Sequence, residues 1–162
     1  MKKLFYSLVA LLAAATAMTS CDDNLDHTKT DGWTPYDLPY TEYGLTAEGC
    51  SWQFVYDDQE IVIINSAEEL SHYLRCENED FVPSIDFERE SLVLAHGYAP
   101  NGIEVLNIMD FIQTESAEVT MVVGLVLNAT DEAPMWTAAL TTGKLPANTT
   151  AKVMVDVLAP EN

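Results

Sequence analysis

The sequence predicts an α+β, mainly β domain. We expect an antiparallel sheet, strongly curled or folded into a β-sandwich of about seven strands, with one helix near residues 66–76 over an open end. Three observations carry this expectation. Runs rich in β-branched and aromatic residues recur between Cys50 and Leu158. Only Ser66–Cys76 has apolar residues at helical spacing, namely Ala67, Leu70, Tyr73 and Leu74. No strand–helix–strand alternation is present, which argues against a parallel, Rossmann-type sheet.

In chain order, Met1–Ser20 comes first. Two lysines precede an apolar run from Leu4 to Ala17, and Met18-Thr19-Ser20 stands before Cys21. A basic start, a short apolar core and small residues at a cut site predict a secretory signal, not a membrane span. With Cys21 directly after the small residues, the segment resembles a bacterial lipoprotein signal. That resemblance implies lipid attachment at Cys21. Residues 21–44 then read as an acidic tether and an aromatic lead-in, and 45–162 as a single mainly β domain. Acidic residues after the lipid cysteine also resemble surface-export signals of Bacteroidota lipoproteins. A plain soluble tether is the alternative.

Trp33, Tyr36, Tyr40 and Tyr43 are spaced among Pro35 and Pro39. Such rings either lie across the domain and become buried or form a sugar-stacking platform. Cys50 to Tyr56 alternates as a strand, with Trp52, Phe54 and Tyr56 on one face. Glu60 to Ile64 is a second, β-branched strand. Ser66 and Glu69 have capping-box spacing, so a helix starts there. Arg75 suits its C-terminal end, and Cys76 closes it.

Three strand-like runs follow between Ile85 and Leu127. Leu92, Leu94 and Tyr98 share one face of the first, and Ile103, Val105 and Met109 one face of the second. Val119–Leu127 is apolar at nearly every position, which predicts a central strand covered on both sides. Ala99-Pro100-Asn101-Gly102 has the residue order of a type I turn with a glycine bulge, so a hairpin is expected there. Gly97 marks a bulge or a close backbone approach. Met135–Leu140 resumes strand character, and Lys152–Leu158 is the last strand. In it Val153, Val155 and Val157 face the core, while Lys152 and Asp156 point away as on a half-exposed edge.

The formal net charge is −19, from 26 acidic against 7 basic residues. Such a chain repels phosphate backbones, so nucleic acid is excluded as a partner. Membrane attachment is expected through lipid only. The histidines are His27, His72 and His96, and no nucleophile motif surrounds any serine. No cluster of His and Cys has metal-ligand spacing. No catalytic residue, metal site or cofactor is therefore expected. Calcium on Asp57, Asp58 and Glu60, or on Glu77, Glu79 and Asp80, is the alternative to plainly solvated acidic loops. Removing Cys21 from the cysteine count leaves Cys50 and Cys76. A compartment outside the cytoplasm permits a disulfide between them, and two buried free thiols are the alternative.

Pro83-Ser-Ile-Asp-Phe87, Leu92-Val-Leu94 and Gly97-Tyr-Ala-Pro-Asn-Gly102 together resemble the PrcB C-terminal-like domain. That family favours Gly-Gly-Tyr at the tip, where this chain has Asn101-Gly102-Ile103. The chain is also similar to uncharacterised small lipoproteins of Bacteroidota. They share a C-x-W strand (Cys50, Trp52), a cysteine after the helix (Cys76) and an A-P-x-W strand (Ala133, Pro134, Trp136). The resemblance implies no catalytic residues. It implies a role in stabilising a partner protease at the envelope. The expected function is a non-enzymatic, lipid-anchored binding or accessory module for a partner protein, as an outer membrane lipoprotein facing the periplasm or the cell surface. Its candidate binding residues are Ala99, Pro100, Asn101 and Gly102. The alternatives are a protease inhibitor that inserts that tip, with the Asn128–Pro134 loop, and a glycan-binding surface built on Trp33, Tyr36 and Tyr40.

Overall fold

The computed structural model describes residues 34–45, 49–54, 60–77 and 84–158. The signal and tether, Cys21, Trp33, Tyr56 and the acidic pairs Asp57–Asp58 and Glu79–Asp80 lie outside the described residues. In chain order the elements are β1 (Tyr36–Asp37), β2 (Tyr40–Glu42), β3 (Cys50–Trp52), β4 (Ile61–Ile64), α1 (Ala67–Tyr73), β5 (Leu74–Cys76), β6 (Glu90–Tyr98), β7 (Ile103–Glu115), β8 (Glu118–Leu127), β9 (Met135–Gly143) and β10 (Thr150–Leu158). Among the described residues the fold is mainly β with a single helix, as the sequence predicts, but has ten strands where about seven were expected. The additional strands are short ones that the alternation pattern cannot resolve.

Two four-stranded sheets form a sandwich. The first has the order β1-β7-β8-β10 and the second β2-β9-β6-β4. Between them lies a core that includes Val93, Ala95, Phe111, Met121, Val123 and Leu140. The lead-in supplies an outer strand to each sheet, since β1 pairs with β7 and β2 with β9. A third layer, α1 with the two-stranded ribbon β3-β5, covers the far face of the second sheet. There Leu70 packs with Val62, Ile64, Leu92 and Leu94, with Trp52, Tyr73 and Leu74 against them. The helix thus covers a face, not an open end, because its apolar stripe matches a sheet face left bare by the sandwich.

The helix begins where the capping residues place it. Ser66 Oγ accepts from the Glu69 N–H at 3.1 Å, and Glu69 Oε2 accepts from the Asn65 N–H at 2.6 Å. It ends at Tyr73, three residues before Cys76, where it was expected to close. Leu74–Cys76 leaves the helix to pair with Cys50–Trp52. Cys50 lies opposite Cys76 in that pairing, and the two are joined by a disulfide with their Cα atoms 4.0 Å apart. Arg75 is accordingly in strand β5, beyond the last helical residue, Tyr73.

Of the strands of the second sheet, β6 is the most completely buried on both faces. Ser91, Leu92, Val93, Leu94 and Ala95 are all fully buried, alternate residues serving the two cores. Val119–Leu127 was expected in that role. Its Val119, Met121, Val123 and Leu125 are buried in the sandwich, but Val122 and Val126 on the other face are only half-buried. A central place within a sheet does not imply a third layer outside it. In β7 irregular register at Ile103/Val105 and Ile108/Asp110 shifts the facing residues. Ile108 and Phe111 enter the core, and Val105 and Met109 remain exposed. Gly97 is a close approach, since the Trp136 ring lies where its Cβ would be.

The last strand differs most from expectation. β10 pairs with β8 in parallel, without a break from Thr150–Glu118 to Leu158–Val126. The chain leaves the first sheet after β8, runs through β9 in the second and returns, so two crossings restore its direction. Val155 and Val157 lie on the core side by register, yet are 41% and 59% exposed. The second sheet does not extend under that end of the strand.

A polar clamp ties the third layer to the sandwich. Ser91 Oγ donates to Asn65 Oδ1 at 2.5 Å and accepts from the Leu145 N–H at 2.9 Å. Lys144 Nζ donates to the carbonyls of Asn65 and Phe87 at 2.8 and 2.6 Å. The turn after Ile85 is closed by Asp86, whose carbonyl accepts from Arg89 and Glu90 and whose carboxylate accepts from Glu88. Phe87 packs into the helix-side core.

Candidate functional site

Ala99–Gly102 is not a hairpin turn. It carries the chain from β6 in the second sheet to β7 in the first. The true hairpin of this region is β7–β8, which turns at Ser116-Ala117. Residues 128–134 cross back, from β8 to β9, at the same end of the sandwich. The two crossings bind each other. The Ala99 N–H donates to the Pro134 carbonyl at 3.1 Å, and the Asn128 N–H to the Gly102 carbonyl at 2.8 Å. Asn101 Nδ2 donates to the Thr130 carbonyl at 3.3 Å. Within the second crossing, Asn128 Oδ1 accepts from the Thr130 N–H at 3.0 Å and from its hydroxyl at 2.7 Å.

The turn residues have different reasons from those the local pattern offers. Among the described residues only Gly49 has positive φ, so Gly102 is not a left-handed bulge. A Cβ at Gly102 would collide with the Thr130 and Asn128 side chains. Ala99 and Gly102 are buried, Asn101 is half-buried and Pro100 is exposed. Of the four tip residues only Pro100 is fully available to a partner.

Two neighbouring residues complete the surface. Tyr98 and Met135 face each other across β6 and β9. They are 74% and 49% exposed. Asp131, Glu132 and Ala133 are exposed beside them. The end is therefore an apolar patch with an acidic border, on backbone held by cross-loop hydrogen bonds. Tyr98 was legible as an aromatic preceding a turn, and Ala133-Pro134 as part of a motif. Their juxtaposition was not, because it depends on which sheet each strand joins.

The aromatic lead-in offers no coplanar platform among the described residues. Tyr40 is half-buried, packs edge-on against Phe111 and donates its hydroxyl to the Ile108 carbonyl at 3.1 Å. Burial, then Glu42 and Asp110, push its pKa up. Tyr43 packs against Trp52, and burial raises its pKa too. Tyr36 is exposed and donates to Gln113 Oε1 at 2.6 Å. Tyr40 is thus a core residue.

His96, in β6, stacks on Phe54 with ring centroids 3.7 Å apart. Among the described residues no group of three or more His, Cys, Asp or Glu side chains is placed to hold a common metal ion. A groove of about 970 Å³ runs between the outer strands β4 and β10 and includes Glu69, His72 and Lys152 in its lining. No family model, curated protein or solved structure matches the chain.

Proposed function

We propose that this chain is a lipid-anchored, non-enzymatic binding or accessory module of the bacterial envelope, and that it meets a partner protein through the paired crossings. The supporting observation is the mutual pinning of 99–102 and 128–134, which presents Tyr98, Pro100 and Met135 on a fixed frame. Rigid presentation of an aromatic anchor lowers the ordering cost of binding. The resemblance to the PrcB C-terminal-like domain makes an envelope protease the first partner class to test. A protease inhibitor is the narrower form of this reading. It would act through Pro100 and Tyr98, because the Gly102 carbonyl and the Ala99 N–H are already engaged.

The test places a photoreactive residue at Tyr98, Met135 or, as control, Glu88 in the full chain in its native envelope. A discrete adduct with a second protein at Tyr98 and Met135, absent at Glu88, is expected. Equal labelling at the three sites, or none at Tyr98 and Met135, overturns the placement. The anchor is tested separately. Cys21→Ser should leave the membrane fraction, since the lipid is the proposed attachment. A variant that still pelleted after a salt wash would overturn it.

A further inference from the structure

Among the described residues, β10 pairs with β8 alone and its other edge is open. The Thr150 N–H donates to the Ala117 carbonyl, on the β8 side. The register from Thr150 to Leu158 is unbroken. By the alternation of a strand, Ala151, Val153, Val155 and Val157 direct both their N–H and C=O groups to the open edge. Met154, Val155 and Val157 are exposed along it. The groove toward β4 flanks Thr150–Met154, but no strand is hydrogen-bonded to this edge among the described residues, and an edge without a paired strand is a template for another.

The sequence along this edge, Lys152-Val153-Met154-Val155-Asp156, is its own antiparallel complement. We propose that two copies of this chain pair through β10, antiparallel, with the two-fold axis at Met154. In that register Val153 meets Val155 and Ala151 meets Val157 of the second copy, and these are the residues whose backbone groups face outward. They become the hydrogen-bonded pairs. Lys152 meets Asp156 of the second copy, twice, in the non-hydrogen-bonded pairs where side chains approach most closely. Met154 meets itself.

The side chains are poised for this register. Lys152 Nζ already contacts Glu118 Oε2 at 2.7 Å, which holds the ammonium on the outer face of the sheet. Asp156 lies on that same face, is exposed, and makes no ion pair among the described residues. A register displaced by two residues would set Met154 against Asp156 or Lys152 and leave charges opposed to apolar groups. The second copy is favoured over an unrelated strand because charge order and hydrogen-bonding phase both close on the same axis.

The test uses the full chain with Met154→Cys under a mild oxidant. Met135→Cys, exposed at the start of a different strand, is the control, and the parent chain reports any background. A disulfide-linked dimer well above both is expected. Asp156→Lys or Lys152→Asp, each added to Met154→Cys, turns both cross-pairs repulsive and should lower that dimer about tenfold. Mixing these two variants, one carrying a size tag, makes both pairs complementary again and should restore a mixed dimer. Cross-linking of Met154→Cys no greater than Met135→Cys overturns the proposal. So does cross-linking unchanged by either charge reversal, or failure of the mixture to recover.

Discussion

The two sheets have equal numbers of strands and similar apolar content, yet they are used differently. The second is covered twice, by the first sheet on one face and by the helix and ribbon on the other. In its strand β6 five consecutive residues are fully buried. Among the described residues the first is covered on one face only, and Val105, Met109 and Met154 remain exposed on it. Apolar residues in a strand therefore do different things according to what lies over them. Where a layer exists they stabilise the fold. Where none exists they remain exposed to solvent.

The largest effect should separate the two sheets directly. Leu94→Ala in β6 opens a cavity in the helix-side core and should cost about 3 kcal/mol. Met109→Ala on the bare face of the first sheet should change stability by less than about 0.5 kcal/mol. Chemical denaturation of both variants measures the contrast, and equal losses would erase the distinction. The covering layer can be loosened without touching either sheet. Replacing Cys50 and Cys76 by serine together should lower stability by roughly 3 kcal/mol through the freed loop of the unfolded chain. Loss of the same size from the bare-faced sheet's contacts would contradict the three-layer picture.

Ser91→Ala is a smaller probe of the same boundary. It leaves Asn65 Oδ1 and the Leu145 N–H without the hydroxyl, at a cost of about 1–3 kcal/mol. The smallest effect belongs to the exposed ion pair of the first sheet. The Lys152 hydrogen bond holds the Glu118 pKa below its ordinary value of 4.5. That contribution is present above the unfolded pKa and is lost as pH falls through the lowered folded one. Lys152 is shifted upward by Glu118, so its contribution is present below 10.5 and is lost as pH rises through the raised value. The small gap in melting temperature between the wild type and Lys152→Met should therefore persist at neutral pH and close at both extremes.

Most single elements were legible in the sequence, and their assembly was not. Ser66 and Glu69 located the helix start because capping is chemistry within one turn. Counting left Cys50 and Cys76 as the candidate pair with two free thiols as the alternative, and the structure joins them. Pro100-Asn101-Gly102 misled because a proline, an amide and a glycine serve a hairpin and an inter-sheet crossing equally well. The deciding contacts, with Thr130 and Pro134, lie some thirty residues further on. Alternation in β10 correctly identified the face of Val155 and Val157. It carried no information on whether another sheet reached that far. Leu74–Cys76 continued a helical stripe until a strand partner far away in sequence claimed it.

The bond between Cys50 and Cys76 also has a mechanical meaning. Their sequence separation is 26. Tension applied to the two ends of the chain passes from one sulfur to the other and bypasses the backbone between them. Stretched to its limit, the reduced chain should extend further than the oxidised chain by roughly 90 Å. Until the bond is broken, β4 and α1 lie inside a closed ring that no pull on the termini can draw straight.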